Sequence, residues 1–132
     1  MSPGSPTLVD LTLEPRFQGQ SVLVSGTTNL KDGAVIGYEV EHERSTAGIK
    51  NNWFKDGNIV VKNGRYSGSV KVAGWPRGKI SVWVTFMSFL KEQPKWAKTL
   101  YGEGGKNMEG PTVKLAGQGI RRAELQKELV KQ

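Results

Sequence analysis

Apolar and polar residues alternate with a period of two along most of this chain. The clearest stretch is 35–43, where Ile36 and Val40 alternate with Glu39 and other polar residues. Because successive side chains of a β-strand point to opposite faces of a sheet, this pattern predicts a strand with one buried and one polar face. Segments of the same kind, bounded by glycine, asparagine and proline, predict further strands at 9–13, 21–25, 59–62, 66–73, 79–89, 96–101 and 111–115.

The C-terminal residues 120–130 follow a helical period instead. Ala123, Leu125 and Leu129 lie among charged side chains. Glutamate and lysine three residues apart in this stretch form a pair that is favourable on a helix. The stretch therefore predicts a short C-terminal helix, which must dock on the rest of the domain because about a dozen residues are marginal as an isolated helix.

Seven to eight short strands without intervening helices predict an all-β fold. The expected architecture is an antiparallel immunoglobulin-like β-sandwich followed by the short C-terminal helix, and a closed barrel is the alternative. We divide the chain into a flexible linker or cloning remnant at 1–6, the sandwich at 7–117 and the helical tail at 118–132. The 132 residues are enough to bury a core without disulfides, and the chain has no cysteine.

Three runs of strand and turn residues carry a resemblance to a known family. They are Val22-Leu-Val-Ser-Gly-Thr-Thr-Asn-Leu-Lys-Asp-Gly33, Gly64-Arg-Tyr-Ser-Gly68 and Trp75-Pro-Arg-Gly-Lys-Ile-Ser-Val-Trp-Val84. They resemble bacterial immunoglobulin-like domains of surface or envelope proteins, and the resemblance spans roughly residues 8–115. It implies an extracytoplasmic binding or spacer module and carries over no catalytic residue.

Positive charge is concentrated in the middle of the chain. From Arg44 to Lys91 there are nine basic residues and one acid, Asp56, and the whole chain has a net charge of +7. Such a field attracts anionic polymers, anionic lipid headgroups or nucleic acid. Nucleic acid is the weakest of these, because the aromatic and basic strand signature of an RNA-binding sheet is absent. The alternative is that lysines on exposed strands maintain solubility and protect sheet edges.

Aromatic residues near these basic residues are the candidate binding residues. They occur in the long polar loop 44–58 and in the turn at 75–78. The candidates are Lys50, Trp53, Phe54, Lys55, Trp75 and Arg77. Exposed indole rings beside cations suit stacking on sugars or bases, or insertion at a partner surface. The alternative is that the loop tryptophans fold back and cap the ends of the sandwich.

Two further tryptophans lie outside these loops. Trp83 points away from the apolar face of its strand, so it is either the centre of the second sheet face or an exposed platform. Trp96 stands beside Lys95 and Lys98 and repeats the combination of a ring with cations.

The sequence argues against an enzyme. His42 is the only histidine, so a catalytic triad or a histidine-rich metal site lacks partners, and we expect a partly exposed strand histidine. Glu39, Glu41 and Glu43 share a strand face at spacings of about 7 Å. A carbohydrate-active enzyme could use such carboxylates, but they are also typical of a solvated strand face. The glycine-rich stretches lack the spacing of nucleotide-binding loops. We therefore expect no catalytic residue, no metal and no cofactor.

These observations predict a non-enzymatic binding or spacer module of a bacterial surface or envelope protein. It would contact an anionic polymer, a glycan or a protein partner through the basic, tryptophan-containing loop. The alternative is a structural assembly component that docks a neighbouring subunit through an edge strand and the C-terminal helix. No segment has the roughly 18 apolar residues of a transmembrane helix, and no signal peptide is visible. We expect an extracytoplasmic location and a monomer in isolation.

Overall fold

The chain forms antiparallel β-sheets around one hydrophobic core. The structure, a computed structural model, describes residues 7–45, 53–117 and 119–132. Its strands are β1 (Thr7–Leu8), β2 (Arg16–Gln18), β3 (Ser21–Thr27), β4 (Val35–His42), β5 (Phe54–Val60), β6 (Arg65–Lys71), β7 (Gly78–Phe86), β8 (Met108–Glu109), β9 (Val113–Leu115) and β10 (Arg121–Lys131). The α-helix α1 (Lys95–Tyr101) and a short 3₁₀ helix at Glu103–Gly105 lie between β7 and β8.

Two sheets form the body of the molecule. The five-stranded sheet has the order β5-β4-β7-β10-β9, and the three-stranded sheet has the order β2-β3-β6. The two-residue strands β1 and β8 form a separate parallel pair. Both large sheets are antiparallel and contribute side chains to the same core. The predicted antiparallel, all-β class is therefore confirmed.

The strand β7 shows how alternation fills the core. Ile80, Val82, Val84 and Phe86 are fully buried, and the residues between them lie on the opposite face of the sheet. Burial of each such side chain contributes about 1.5–3 kcal/mol to folding. The two-residue period therefore assigned the inward and outward faces of this strand correctly.

Residues 9–13 keep the predicted burial but not the predicted strand. Val9, Leu11 and Leu13 are buried, whereas only Leu11 forms a ladder contact, an isolated bridge to Thr28. The alternation here reflects which side chains face the core and does not require a regular strand.

The C-terminal residues form a strand, so the predicted C-terminal helix is wrong. β10 pairs with β7 over nine consecutive positions, from Ala123 opposite Phe86 to Lys131 opposite Gly78. Glutamate, lysine, leucine and glutamine favour helices in isolation. Pairing along β7 overrides that preference, because it satisfies the backbone of β10 and turns Ala123, Leu125 and Leu129 to the core. The folded body therefore extends to Lys131 and does not end at residue 117. The expected linker at 1–6 lies outside the described residues.

The segment predicted as a strand at 96–101 is the helix α1. It follows Pro94, which suits a helix start because proline has no amide hydrogen to satisfy. It ends before Gly102, whose φ of 77° is one that other residues rarely adopt. Ala97 and Tyr101, four residues apart, form its buried side. Helical spacing of the apolar residues therefore decides the structure of this segment.

Tyr66 ties β6 to the chain before β2. Its side chain is buried, and its hydroxyl donates a hydrogen bond to the carbonyl oxygen of Thr12 at 2.5 Å. Burial, with a smaller effect from the Glu14 carboxylate, raises the pKa of Tyr66 far above its usual range. Above a pH of about 10 an unfolded tyrosine ionises while this one stays protonated, so the folded state binds more protons. The contribution of Tyr66 to stability is therefore complete below about pH 10 and is lost as the pH rises further.

We expect Tyr66→Phe to lower the free energy of unfolding at neutral pH by about 1 kcal/mol, because the hydrogen bond to Thr12 is lost. Between about pH 9 and 11 the variant should lose less stability than the wild type, since it lacks the shifted hydroxyl. Urea unfolding at several pH values measures both effects, with Tyr38→Phe as the control for a half-buried tyrosine. Equal alkaline slopes for Tyr66→Phe and the wild type would show that Tyr66 does not cause the effect.

Candidate functional site

The outward face of the five-stranded sheet brings Trp83 together with acidic side chains. Trp83 lies on β7 directly beside Glu39 of β4 and Gln126 of β10. Glu39 in turn lies beside Asp56 of β5. Directly opposed residues of paired strands share a face. One row across four strands therefore contains Asp56, Glu39, Trp83 and Gln126.

A groove of about 590 Å³ opens on this face. Its volume lies within the range of about 300–1,000 Å³ that is typical of small-molecule sites. The groove is lined by residues of four neighbouring strands and by one residue that follows β7: Gly37, Tyr38, Glu39, Asp56, Gly57, Asn58, Trp83, Thr85, Met87, Arg122 and Glu124. Trp83 is half-buried, so part of its ring is available to a ligand.

Gly37 keeps the middle of the groove open. It lies on β4 between Asn58 of β5 and Thr85 of β7. A Cβ atom at this position would make only ordinary contacts, 3.6 Å from Asn58 Oδ1 and 3.9 Å from the Thr85 carbonyl oxygen. Glycine in a strand interior costs roughly 0.5–1 kcal/mol relative to alanine. The sheet does not need glycine here, and the missing side chain instead leaves space above the sheet.

Glu39 and Asp56 place two carboxylates without a partner cation beside Trp83. Like charges directly opposite each other on paired strands destabilise a sheet. Both residues are exposed, and neither forms an ion pair with any described residue. Glu124, by contrast, pairs with two basic side chains, the closer being Arg122 at 3.2 Å. The groove is therefore negatively charged near Trp83, although the whole chain carries +7.

This arrangement offers a ligand an aromatic surface together with polar partners. The indole ring can lie against the apolar face of a sugar or against a cation. The carboxylates of Glu39 and Asp56 accept hydrogen bonds, and the Asn58 amide both donates and accepts them. Within the described ranges, no three histidine, cysteine or acidic residues are placed to hold a metal ion.

The predicted candidates Trp53 and Trp75 lie around His42 at one end of the sheet. Their ring centroids are 5.5 Å and 6.4 Å from that of His42, and both contacts are edge-to-face. Trp75 is only 8% exposed, whereas Trp53 is half-buried. The interpretation in which a loop tryptophan folds back and caps the end of the structure therefore holds for Trp75.

His42 is buried, so the prediction of a partly exposed histidine is wrong. It is 1% exposed because it shares the inward face of β4 with Ile36 and Val40. Its Nδ1 accepts a hydrogen bond from the Arg44 amide at 3.0 Å, and its Nε2 lies 3.1 Å from the carbonyl oxygens of Pro76 and Arg77. A nitrogen facing carbonyl oxygens must donate, so this network assigns a neutral ring with its hydrogen on Nε2. His42 thus holds the turn before β7 in place.

Of the other predicted site residues, Arg77 contacts this cluster through its backbone, since its carbonyl oxygen lies 3.1 Å from His42 Nε2. Phe54 and Lys55 are successive residues of β5 and therefore lie on opposite faces of the sheet. Lys55 and Arg77 are exposed. Lys50 lies outside the described residues. The structure therefore brings only part of the predicted set together, at the end of the sheet that His42 occupies.

The three glutamates that were predicted to share one face have different surroundings. Glu39 lines the groove, and Glu41 lies one row further along β4, opposite Ser81. Glu43 follows the strand, and its carboxylate accepts a hydrogen bond from the Lys79 amide. The surface above Glu39 is therefore a groove and not the flat face typical of a solvated strand.

Sequence reasoning missed the groove although one of its signals was present. Alternation already placed Trp83 on the outward face and Glu39 on the outward face of another strand. The sequence predicts a loop for Asp56 and Asn58, whereas both lie on β5. Nothing in the sequence indicates that Gly37 stands between Asn58 and Thr85 on this face. The site depends on which strands are neighbours, which alternation does not encode.

In the part of the chain that the structure describes, no helix has the length and apolar character needed to cross a membrane. No protein-family model and no curated protein matches this sequence.

Proposed function

We propose that this chain is a non-enzymatic binding module that holds a saccharide in the groove over Trp83. The observation that carries the proposal is a half-buried indole ring set in a groove of about 590 Å³ among carboxylate and amide side chains. An aromatic ring surrounded by polar side chains suits a sugar, because the apolar face of the sugar can pack on the ring while its hydroxyl groups bond to the polar side chains. The groove places the site on rigid strands, so little rearrangement is needed on binding.

The charge of the groove selects among saccharides. Glu39 and Asp56 carry no compensating cation among the described residues, so acidic sugars would be repelled from this surface. Neutral hydroxyl groups can donate hydrogen bonds to both carboxylates, and an amino group can in addition lie against the Trp83 ring. We therefore propose a ligand without acidic groups, either a neutral or an amino-bearing sugar chain.

Binding without hydrolysis is the better reading of these carboxylates. Glycosidases keep their general acid protonated by setting it in an apolar, buried pocket. Glu39 and Asp56 are both exposed. The groove thus supports recognition of a sugar rather than its cleavage.

The order of the strands supports an immunoglobulin-like sandwich as the architecture of the module. β2, β3 and β6 form one sheet, while β4, β5, β7 and β10 belong to the other. Such a division between two antiparallel sheets is typical of immunoglobulin-like domains. Together with the resemblance of the strand and turn motifs, it supports a place in a bacterial surface or envelope protein. The assembly alternative is weaker, because the C-terminal helix, one of its two docking elements beside an edge strand, is the strand β10.

We expect Trp83→Ala to weaken saccharide binding by about ten- to a hundredfold, the size of effect found when an aromatic platform is removed. NMR titrations of the labelled protein with oligomers of glucose, N-acetylglucosamine, glucosamine and galacturonate measure the affinities. The shifts should centre on the Trp83 indole and the Gly37 amide. Galacturonate should bind most weakly.

Leu23→Ala is the matched control, because Leu23 lies on β3 of the other sheet and its loss should leave the affinity unchanged. Equal affinities of Trp83→Ala and Leu23→Ala, or shifts confined to the His42 end of the sheet, would overturn the proposal. Release of new reducing ends during the titration would contradict the absence of hydrolysis.

A further inference from the structure

Three loops that carry lysines meet at one end of the two sheets. β3 ends at Thr27 and β4 begins at Val35, so the segment 28–34 lies at this end. The turn 61–64 after β5 and the segment 87–94 after β7 lie there too, because Val35 pairs with Val60 and Gly37 with Thr85. Hydrogen bonds join the first two segments. The Thr28 amide donates to the Gly64 carbonyl oxygen, the Gly33 amide to that of Val61 and the Val61 amide to that of Ala34. The Asn63 amide donates to the Asp32 side chain at Oδ1.

Gln93 and Trp96 fix the third loop to the same end. The Gln93 side chain is 5% exposed and makes paired hydrogen bonds with the backbone of Val35, at 2.9 Å to its amide and 2.7 Å to its carbonyl oxygen. Trp96 lies on α1, and the Lys31 Nζ stands 5.8 Å from the centroid of its ring. The lysines of this end are therefore carried by backbone that is held in a defined position.

The basic end surface consists of five exposed lysines: Lys31, Lys62, Lys91, Lys95 and Lys98. None of them forms an ion pair with a described residue. The segments that carry these lysines contain two carboxylates, Asp32 and Glu92, and Asp32 already accepts the hydrogen bond from the Asn63 amide. Lys95 and Lys98, three residues apart on α1, lie on the exposed side of the helix opposite Ala97 and Tyr101.

We propose that this basic end surface binds a linear polymer that carries phosphate groups. Lysine ammonium groups act as point charges that suit successive phosphates without demanding one geometry, unlike the planar fork of arginine. The large apolar side chains exposed in the described part of the chain are Leu8, Val60, Leu115, Ile120 and Val130. Val60 adjoins this surface at the end of β5, but it shares the outward sheet face with Asp56 and Asn58. Charged side chains therefore predominate over apolar ones at this end, which argues against insertion into a membrane. Trp96 is half-buried with Lys31 over its ring, so it offers no open platform for stacked bases.

This proposal is independent of the saccharide groove, which lies on the outward sheet face and is acidic. It also differs from the basic loop that the sequence predicted. Of the tryptophans that the sequence placed beside cations, Trp96 has the Lys31 ammonium group over its ring, and its chain neighbours Lys95 and Lys98 are exposed. The anionic partner that the charge distribution predicted is thus assigned to the basic end surface and not to the loop 44–58.

The test is an isothermal titration of the whole chain with short-chain inorganic polyphosphate at several salt concentrations. We expect Lys95→Gln combined with Lys98→Gln to weaken binding about five- to thirtyfold near 50 mM salt, and to reduce the slope of log affinity against log salt by about one to two. Lys55→Gln combined with Lys71→Gln removes the same charge from exposed strand residues at the opposite end, and should leave both quantities close to those of the wild type.

Single-stranded DNA of matched charge and vesicles of anionic phospholipid distinguish other sources of phosphate. Tighter binding to polyphosphate than to either supports the proposal. If both double variants lost the same affinity for polyphosphate, the loss would follow from net charge alone, and the proposed site would be wrong. Stronger binding to DNA or to vesicles would also overturn it, in favour of nucleic acid or a membrane as the partner.

Discussion

Gly37→Val should lower the affinity for saccharide by more than about a hundredfold while the protein stays folded. The two added methyl groups would stand in the middle of the groove, between Asn58 and Thr85, where a sugar ring must lie to reach Trp83. The backbone at Gly37 has no positive φ, and valine is a residue that strands favour. We therefore expect the free energy of unfolding to change by less than about 1 kcal/mol. Titration with the sugar oligomers and urea unfolding measure the two quantities.

Gly37→Ala is the matched control for this substitution. A single Cβ meets its nearest neighbour, Asn58 Oδ1, at 3.6 Å, so it occupies far less of the groove and should preserve most of the affinity. A valine variant that binds like the wild type would show that the ligand does not occupy the groove. Loss of stability by more than about 2 kcal/mol in the valine variant would instead show that Gly37 serves the fold.

Gly26→Ala should destabilise the protein by more than about 3 kcal/mol, which is at the upper end for a single added methyl group. Gly26 is buried in β3, and its missing side chain lets the chain before β2 approach. A Cβ here would stand 2.6 Å from the Tyr66 hydroxyl oxygen and closer still to the carbonyl oxygen of Thr12. These are the two ends of the hydrogen bond that Tyr66 donates. The added methyl group must therefore push the backbone of β3 away from the backbone of Thr12. Rotation of a flexible side chain cannot relieve this contact, because the atoms involved belong to the backbone.

The same change at Gly37 provides the comparison, because Gly37→Ala adds an identical methyl group to a strand with room to accept it. Thermal and urea unfolding of the two alanine variants should differ by about 3 kcal/mol or more. Similar stabilities for Gly26→Ala and Gly37→Ala would mean that the backbone around Thr12 can move away from β3 at little cost in free energy. Tyr66→Phe combined with Gly26→Ala should be less destabilised than the sum of the single changes, since both remove the same bond.

The strand β10 shows why part of the fold could not be predicted. Ala123, Leu125 and Leu129 are compatible with a helix and with one face of a strand, and the surrounding residues favour a helix. The choice was made by β7, which offers nine consecutive backbone partners. The pattern of a dozen neighbouring residues contains no information about a strand that lies some forty residues earlier in the chain.

The candidate site illustrates the same division. Composition and spacing singled out the tryptophans and the uneven charge, but they could not say which rings would be buried. Trp75 closes one end of the sheet against His42, whereas Trp83 remains available beside Glu39. A loop residue is free to fold back, and whether it does depends on the shape of the surface beneath it. A residue in the middle of a strand has its direction set by the backbone.

The sequence by itself determined the β class, the inward and outward faces of the central strands, the outward direction of Trp83 and the excess of positive charge. These are local properties, because the direction of each side chain follows from the pleat of its own strand. Only the tertiary structure decided that residues 121–131 are a strand, that Asp56, Glu39 and Trp83 form one row, and that lysines from three loops share one end. Those outcomes depend on pairings between residues far apart in the chain. Their stability comes from backbone hydrogen bonds and buried area that exist only once the sheets have formed.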